Sequence, residues 1–203
     1  KWETNLAEAT IKRGYFDPST NSFEVELELI DGKASELAAA LGWEAREPIE
    51  GVLQGNVLLS GRLGDLQGEG AFDLAEGKLG AVAFSGKAQV TLRDRELQIS
   101  SLVLEHADGG VVTAAGTVSL ANLHYPVLDL TGEVSEIVYS SGPFAGKLAG
   151  EISLTGIWPQ PLLSGRLSVR QGSFDVGKLG QTGALTETLA FGLPLAVDVE
   201  IDG

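Results

Sequence analysis

Between residues 22 and 30 apolar and acidic side chains alternate without a break. Phe23, Val25, Leu27 and Leu29 stand against Glu24, Glu26 and Glu28. A period of two is the signature of a strand with one apolar and one polar face. The turn chemistry of Asp17-Pro18-Ser19-Thr20-Asn21 precedes it, and residues 10–16 supply a partner strand, so a hairpin is expected. Three glutamates on one face suggest a metal site, but residues two apart on a strand lie roughly 6.5–7 Å from each other. No His stands near them, and a solvated outer face is the better reading. Residues 34–41, ASELAAAL, break the alternation. Their Ala and Leu content predicts one short helix with Leu37, Ala38 and Leu41 as its apolar stripe, entered from Asp31-Gly32 and ended at Gly42. Two turns cannot stand alone, so this helix is expected to pack over an end or edge of the sheet.

From Glu50 to Asp202 the pattern is almost entirely strand. The candidates are 51–59, 68–74, 78–84, 87–93, 96–104, 111–120, 126–134, 136–140, 146–155, 164–170, 173–176 and 194–201. Turns are predicted at Gly64-Asp65, Glu76-Gly77, Ser85-Gly86, Arg93-Asp94, Asp108-Gly109-Gly110, Ser141-Gly142-Pro143, Trp158 to Pro161, and Gln171-Gly172. Residues 177–193 are rich in Gly and Thr and read as a loop or a weak strand. Strands spaced this closely predict an all-β architecture with mostly antiparallel neighbours.

One stretch occurs twice. Gly51, Leu53, Gly55, Val57, Leu59 and Gly61 match Gly146, Leu148, Gly150, Ile152, Leu154 and Gly156. The same offset relates Gly70 to Gly165, Phe72 to Leu167, Leu74 to Val169, Gly77 to Gly172 and Leu79 to Phe174. We read residues 51–79 and 146–174 as an internal repeat within one elongated β segment, and a repeat constrains architecture before any single residue does.

Composition narrows the function classes. The 203-residue chain carries a net charge of −14, which disfavours nucleic acid and tight docking on an anionic membrane. Glycine, at 27 residues, is roughly double the usual ~7% without a collagen period, and is expected at turns, bulges and close backbone approaches. There is no Cys, so disulfides are excluded. No apolar run approaches the ~20 residues of a membrane helix. The chain begins at Lys1 without Met and ends at Gly203 just past a strand, so we expect a longer parent that carries any targeting or anchoring segment.

The chemistry of catalysis is missing. His106 sits beside the Asp108-Gly109 turn and His124 before Tyr125-Pro126, neither with zinc-site spacing. No G-x-S-x-G elbow, phosphate loop, dinucleotide fingerprint or calcium loop occurs. Paired carboxylates are common only because the protein is acidic. No enzyme, no metal and no cofactor is expected.

Nearly every strand offers an apolar face rich in Leu and Val, with aromatics at 6% of the chain. Two such sheets could close on each other as a sandwich. The tandem repeat and the scarcity of large rings argue instead for an extended stack with a lining suited to mobile alkyl chains. The signature G-x-L-x-G-x-[VI]-x-L-x-G, a loop with Pro, then L-x-G-x-L-x-[VL]-x-x-G-x-[FL], resembles the TamB/AsmA-like family of envelope proteins. Gly146, Leu148, Gly150, Ile152, Leu154, Gly156, Pro161, Gly165, Leu167, Val169, Gly172 and Phe174 carry it. The first copy, Gly51 to Leu79, has Leu66 where the loop proline would stand.

The resemblance implies a β-taco: an elongated, U-shaped, mostly antiparallel sheet with an apolar interior groove. It implies a parent anchored in the inner membrane and lying in the periplasm, and a partner among outer-membrane barrel proteins of the BamA superfamily (TamA-like). The implied function is a segment of a conduit that passes phospholipids between the inner and outer membranes, the acyl chains being the direct partners of the groove. About a dozen strands at ~4.8 Å spacing would make a groove on the order of 60 Å long. The candidate lining is Leu53, Val57, Leu59, Phe72, Leu74, Leu79, Val90, Leu92, Leu97, Ile99, Leu128, Leu130, Leu148, Ile152, Leu154, Leu167, Val169, Phe174, Leu195, Val197 and Val199. The competing expectation is a periplasmic chaperone or assembly module that holds outer-membrane protein strands by β-augmentation. A solenoid stalk fits less well, because stalks usually repeat every ~20–30 residues. The fragment itself is expected to be monomeric.

Overall fold

The computed structural model describes residues 7–40, 49–62, 65–79, 82–141, 144–158, 160–174 and 196–202. The predicted loop at 177–193, Gly42 and the central residues of several turns lie outside them. Eleven strands form one sheet in chain order: β1 Ala7–Asp17, β2 Ser22–Lys33, β3 Ile49–Arg62, β4 Asp65–Leu79, β5 Val82–Arg93, β6 Glu96–His106, β7 Val111–Ser119, β8 Val127–Ser141, β9 Phe144–Ile157, β10 Leu162–Phe174 and β11 Ala196–Asp202. Every neighbouring pair is antiparallel except β10 and β11, which are parallel. The single helix, α1 Ala34–Ala40, follows β2 directly and packs against β3 and β2, over an end of the sheet as its length requires. The expected all-β architecture with one short helix is the one observed.

The strands are longer than their alternation suggested, because several predicted turns are interruptions inside a strand. Glu76-Gly77 reads as a turn, since a left-handed residue before Gly is common in tight hairpins. Glu76 does adopt φ 53°. The chain does not reverse there: Leu74 pairs with Gly86 and Gly77 with Phe84, so the two residues form a bulge in β4. Predicted strands 68–74 and 78–84 therefore divide differently, the turn falling between β4 and β5. Gln171 (φ 53°) in β10 and Glu136 (φ 55°) in β8 are further bulges, which merge 164–170 with 173–176 and 126–134 with 136–140. Ser85-Gly86 lies within β5, not in a turn. A Cβ on Gly86 would stand 2.7 Å from the Leu104 side chain, so this glycine permits close cross-strand packing.

Residues 51–79 lie in β3 and β4 and the turn between them, and residues 146–174 in β9 and β10. Val57 pairs with Gly70 and Leu53 with Leu74 between β3 and β4. Ninety-five residues on, Ile152 pairs with Gly165 and Leu148 with Val169 between β9 and β10.

Among the described residues no second sheet covers this one. The strands contact their sequence neighbours, and the closest-packed residues make a small cluster: Leu148 and Leu167, each 5% exposed, flanked by Val134, Ile137, Ile152 and Val169. In the middle strands one face is exposed and the other intermediate, as in β8, where Leu128, Leu130, Gly132 and Val134 are shielded and Asp129, Thr131 and Glu133 are not, while β1 at the edge is exposed on both faces from Ala9 to Phe16. The shielding on that face therefore comes from neighbouring strands of the same sheet. A single sheet that is not closed into a barrel matches the expected curled β-taco, and the described residues form no sandwich.

Candidate functional site

Residues paired across neighbouring strands project to the same face, so the register assigns each candidate lining residue. One row crosses the whole sheet: Ile11, Leu27, Val57, Gly70, Val90, Ile99, Gly116, Leu130, Leu154, Leu163 and, by register, Val197. A second row carries Val25, Leu59, Gly68, Leu92, Leu97, Val118, Leu128 and Gly156. On the other side run Leu29, Gly55, Phe72, Ala88, Leu102, Ala114, Gly132, Ile152, Gly165 and Val199. The next row holds Leu53, Leu74, Gly86, Leu104, Val112, Val134, Gly150 and Leu167, and the shortest holds Ile137, Leu148 and Val169. Leu79 pairs with Val82 and Ile49 at one strand end, and Phe174 pairs with Phe144. Leu195 lies outside the described residues.

Apart from Leu79, Phe174, Val197 and Val199, for which only backbone pairing is described, the register brings the described candidates onto one face, and none of the five rows contains a charged residue. It also adds residues that the sequence reading left out. Leu102 and Leu104 join the face because a bulge between Ile99 and Leu102 switches the parity of β6, visible in the sequence as the Ser100-Ser101 pair that offsets Leu97-x-Ile99 from Leu102-x-Leu104. Ile137 is placed by the Glu136 bulge in the same way. Leu163 was masked by its neighbour Leu162, an identical residue that points to the other face.

The opposite face is polar. Asp73 and Lys87 approach to 3.5 Å, and Glu136 and Lys147 to 3.1 Å, both pairs well exposed. Such pairs are worth about 0–1 kcal/mol each. A hollow of about 640 Å³ lies on this side, lined by small and polar residues such as Thr113, Thr131, Glu133, Glu151 and Ser153. A twisted sheet is saddle-shaped, so a hollow on the polar side is compatible with a curl toward the apolar side. Leu102, Val103, Ala115 and Ile152 complete its lining, which mixes apolar and charged groups and, unlike the rows of the other face, carries Glu133, Glu151 and Arg166.

Among the described residues, each histidine is held in a local turn contact. The His106 ring accepts a hydrogen bond at Nδ1 from the Asp108 amide at 3.1 Å, which makes it a turn residue. The His124 amide donates to the Asn122 side chain at 3.1 Å within the β7–β8 turn. Among the described residues no group of His, Asp and Glu could hold a metal ion, and no helix is long and apolar enough to cross a membrane.

Residues 100–200 match a protein family described as TamB C-terminal domain. No curated protein and no solved structure matches the chain.

Proposed function

We propose that this chain, a TamB-like family fragment, is a segment of a hydrophobic conduit that carries phospholipid acyl chains across the periplasm. The parent would be anchored in the inner membrane and would deliver to the outer membrane beside a barrel protein of the TamA type. One observation carries the reading: an uncharged apolar row that runs across an eleven-stranded sheet, with no second layer over it among the described residues. Ten inter-strand steps at ~4.8 Å give it a length of about 50 Å. Each methylene that leaves water for this lining contributes about 0.8 kcal/mol. The rows alternate Leu and Val with Gly and Ala, so no deep pocket arrests a chain that slides along them.

A photo-crosslinking residue at Leu154, in the full-length protein in cells, tests the reading against the same residue at Ser153. Leu154 lies between Leu130 and Leu163 in the apolar row. Ser153 lies on the other face, with its hydroxyl 2.8 Å from that of Ser164. Phospholipid adducts at 154 and not at 153 are expected. No lipid adduct at 154, together with unfolding of Leu154→Asp, would mean a sealed core and would end the proposal.

The open edge of β1 favours the second reading, strand capture. It has no outer neighbour among the described residues, and Ile11 and Tyr15 on it are 67% and 65% exposed. That reading expects adducts from β1 to outer-membrane protein segments, and saturable binding of peptides with alternating pattern.

A further inference from the structure

The two long rims of the sheet differ, and the difference assigns a direction to the bound lipid. The first rim carries the turns after β1, β5, β7 and β9. The second carries α1 and the turn after β6, Ala107–Gly110. Among the exposed large apolar side chains, Phe16, Leu123, Tyr125, Val127, Ile157 and Leu162 lie at the first rim, with Leu123 at 75% and Tyr125 at 60%, whereas Ile30 and Val138, each at 42%, lie in the half toward the second and Ile11, at 67%, in mid-strand. The β7–β8 and β9–β10 turns meet there, the Trp158 amide donating to the Pro126 carbonyl at 2.9 Å. Neither turn contains an Asp, Glu, Lys or Arg, in a chain of net charge −14. In the adjoining β5–β6 turn Arg93 and Arg95 balance Asp94 and Glu96, and the Leu120 amide donates to the Arg95 carbonyl at 2.7 Å. Arg93 and Arg95 form no ion pair among the described residues.

The second rim is acidic. Glu50, Glu76, Glu105, Asp108 and Glu136 lie along it, and its Lys33, Lys78 and Lys147 are engaged with Glu36, Glu50 and Glu136. The bulges at Leu29/Gly32, Glu50/Val52, Leu74/Gly77, Val134/Ile137 and Arg170/Ser173 all fall in this half of the strands. Bulges bend strands and increase local twist. The buried cluster around Leu148 and Leu167 also lies in this half, and α1 packs over it at β2 and β3.

Resting on the conduit reading above, we propose that phospholipid lies across the groove with its phosphate at the first rim, beside Arg93, Arg95 and Tyr125, and its tails pointing toward the second. The charge pattern selects the occupant. A phosphodiester is attracted to the arginines and is not repelled by the two uncharged turns, whereas the second rim opposes it. Tyr125 and Trp158 combine an apolar body with a polar tip, as side chains at a lipid–water boundary do. The dimensions agree: a leaflet's hydrocarbon is about 15 Å deep, or four to five residues of strand at ~3.3 Å each. Tails that start at Val127 would pass Leu128 and Leu130 and end near Gly132 and Ile152, at the margin of the buried cluster.

Two probes test this on the full-length protein. One is a phosphatidylethanolamine with a diazirine on its headgroup amine, the other a phosphatidylcholine with a diazirine at the end of an acyl chain. Labelled peptides are located by mass spectrometry. The headgroup probe is expected to label residues 120–127 and 157–162 at least fivefold more than residues 105–110, and the acyl probe to label residues 130–134 and 150–154. Arg93→Glu with Arg95→Glu should cut headgroup labelling severalfold and leave acyl labelling in place. Acyl labelling as expected, with headgroup labelling equal at the two rims or greater at the second, overturns the orientation and leaves the conduit standing. Failure of the acyl probe to label the apolar face overturns both.

Discussion

Replacing Leu167 and Leu130 by alanine, one at a time, separates a groove from a core. Both lie on the apolar face and lose the same atoms. Leu167 is 5% exposed and packs in the cluster with Leu148, Val134 and Ile152. Its truncation removes transfer free energy and leaves a cavity, which together cost about 2–5 kcal/mol in buried Leu→Ala changes. Leu130 is half-buried, between Gly116 and Leu154. Three carbons at about 0.8 kcal/mol each, half of them already in water, amount to roughly 1 kcal/mol. The open groove leaves no enclosed cavity there to add a further cost. Urea unfolding followed by circular dichroism, with the slope m held constant between variants, reads both values. Leu167→Ala should exceed Leu130→Ala by at least 1 kcal/mol. Equal losses would show that Leu130 is packed as tightly as Leu167, and the inference of an uncovered lining would be wrong.

Other positions give independent checks. A Cβ on Gly132 would stand 2.2 Å from the Thr113 carbonyl oxygen, so Gly132→Ala should destabilise by about 1–3 kcal/mol through overpacking, measured by the same unfolding curves. Gln171 holds φ 53° in its bulge, and Gln171→Gly should stabilise by roughly 0.5–1 kcal/mol; a loss of stability would mean that the side chain contributes more than its backbone strain costs. Asp17 accepts hydrogen bonds from the Ser19 hydroxyl and amide, which hold its carboxyl below the ordinary aspartate range. Because its folded pKa is depressed, the turn's contribution is present above the unfolded value and is lost as pH falls through the folded one. NMR titration should place the Asp17 carboxyl transition below that of a model aspartate, and a transition at or above it would refute the assignment.

The two-residue alternation was enough to identify the strands and their apolar positions, because a sheet with one uncovered face leaves polar residues on the other. It was not enough to place the strand ends. Glu76-Gly77 and Gln171-Gly172 have the local chemistry of hairpin turns, and only pairing partners far along the chain show that they are bulges. Parity after a bulge is lost for the same reason, which is why Leu102, Leu104 and Ile137 escaped the candidate lining. The difference between the rims was not legible either. Leu123, Tyr125, Ile157 and Leu162 are scattered in sequence and meet only because the turns after β7 and β9 emerge at one end of the sheet.

Glycine links the composition to the open lining. Within the apolar rows glycine recurs beside large residues: Gly116 next to Ile99 and Leu130, Gly150 next to Val134 and Leu167. At Gly150 an added Cβ would stand 2.1 Å from the Arg166 carbonyl oxygen, so the strands approach on this face more closely than side chains allow. Strand glycine normally weakens a sheet, through backbone entropy and missing side-chain contacts. Here Gly116 and Gly150 hold φ 148° and 156°, which L side chains rarely adopt, so the apolar rows depend on glycine at these positions. A flat sheet of the same length would have no need of it, and a sandwich would fill those positions with large residues to complete a core. The glycine content is therefore the signature of a sheet that curls without closing, and that shape is what leaves Leu and Val half-covered and able to hold an alkyl chain.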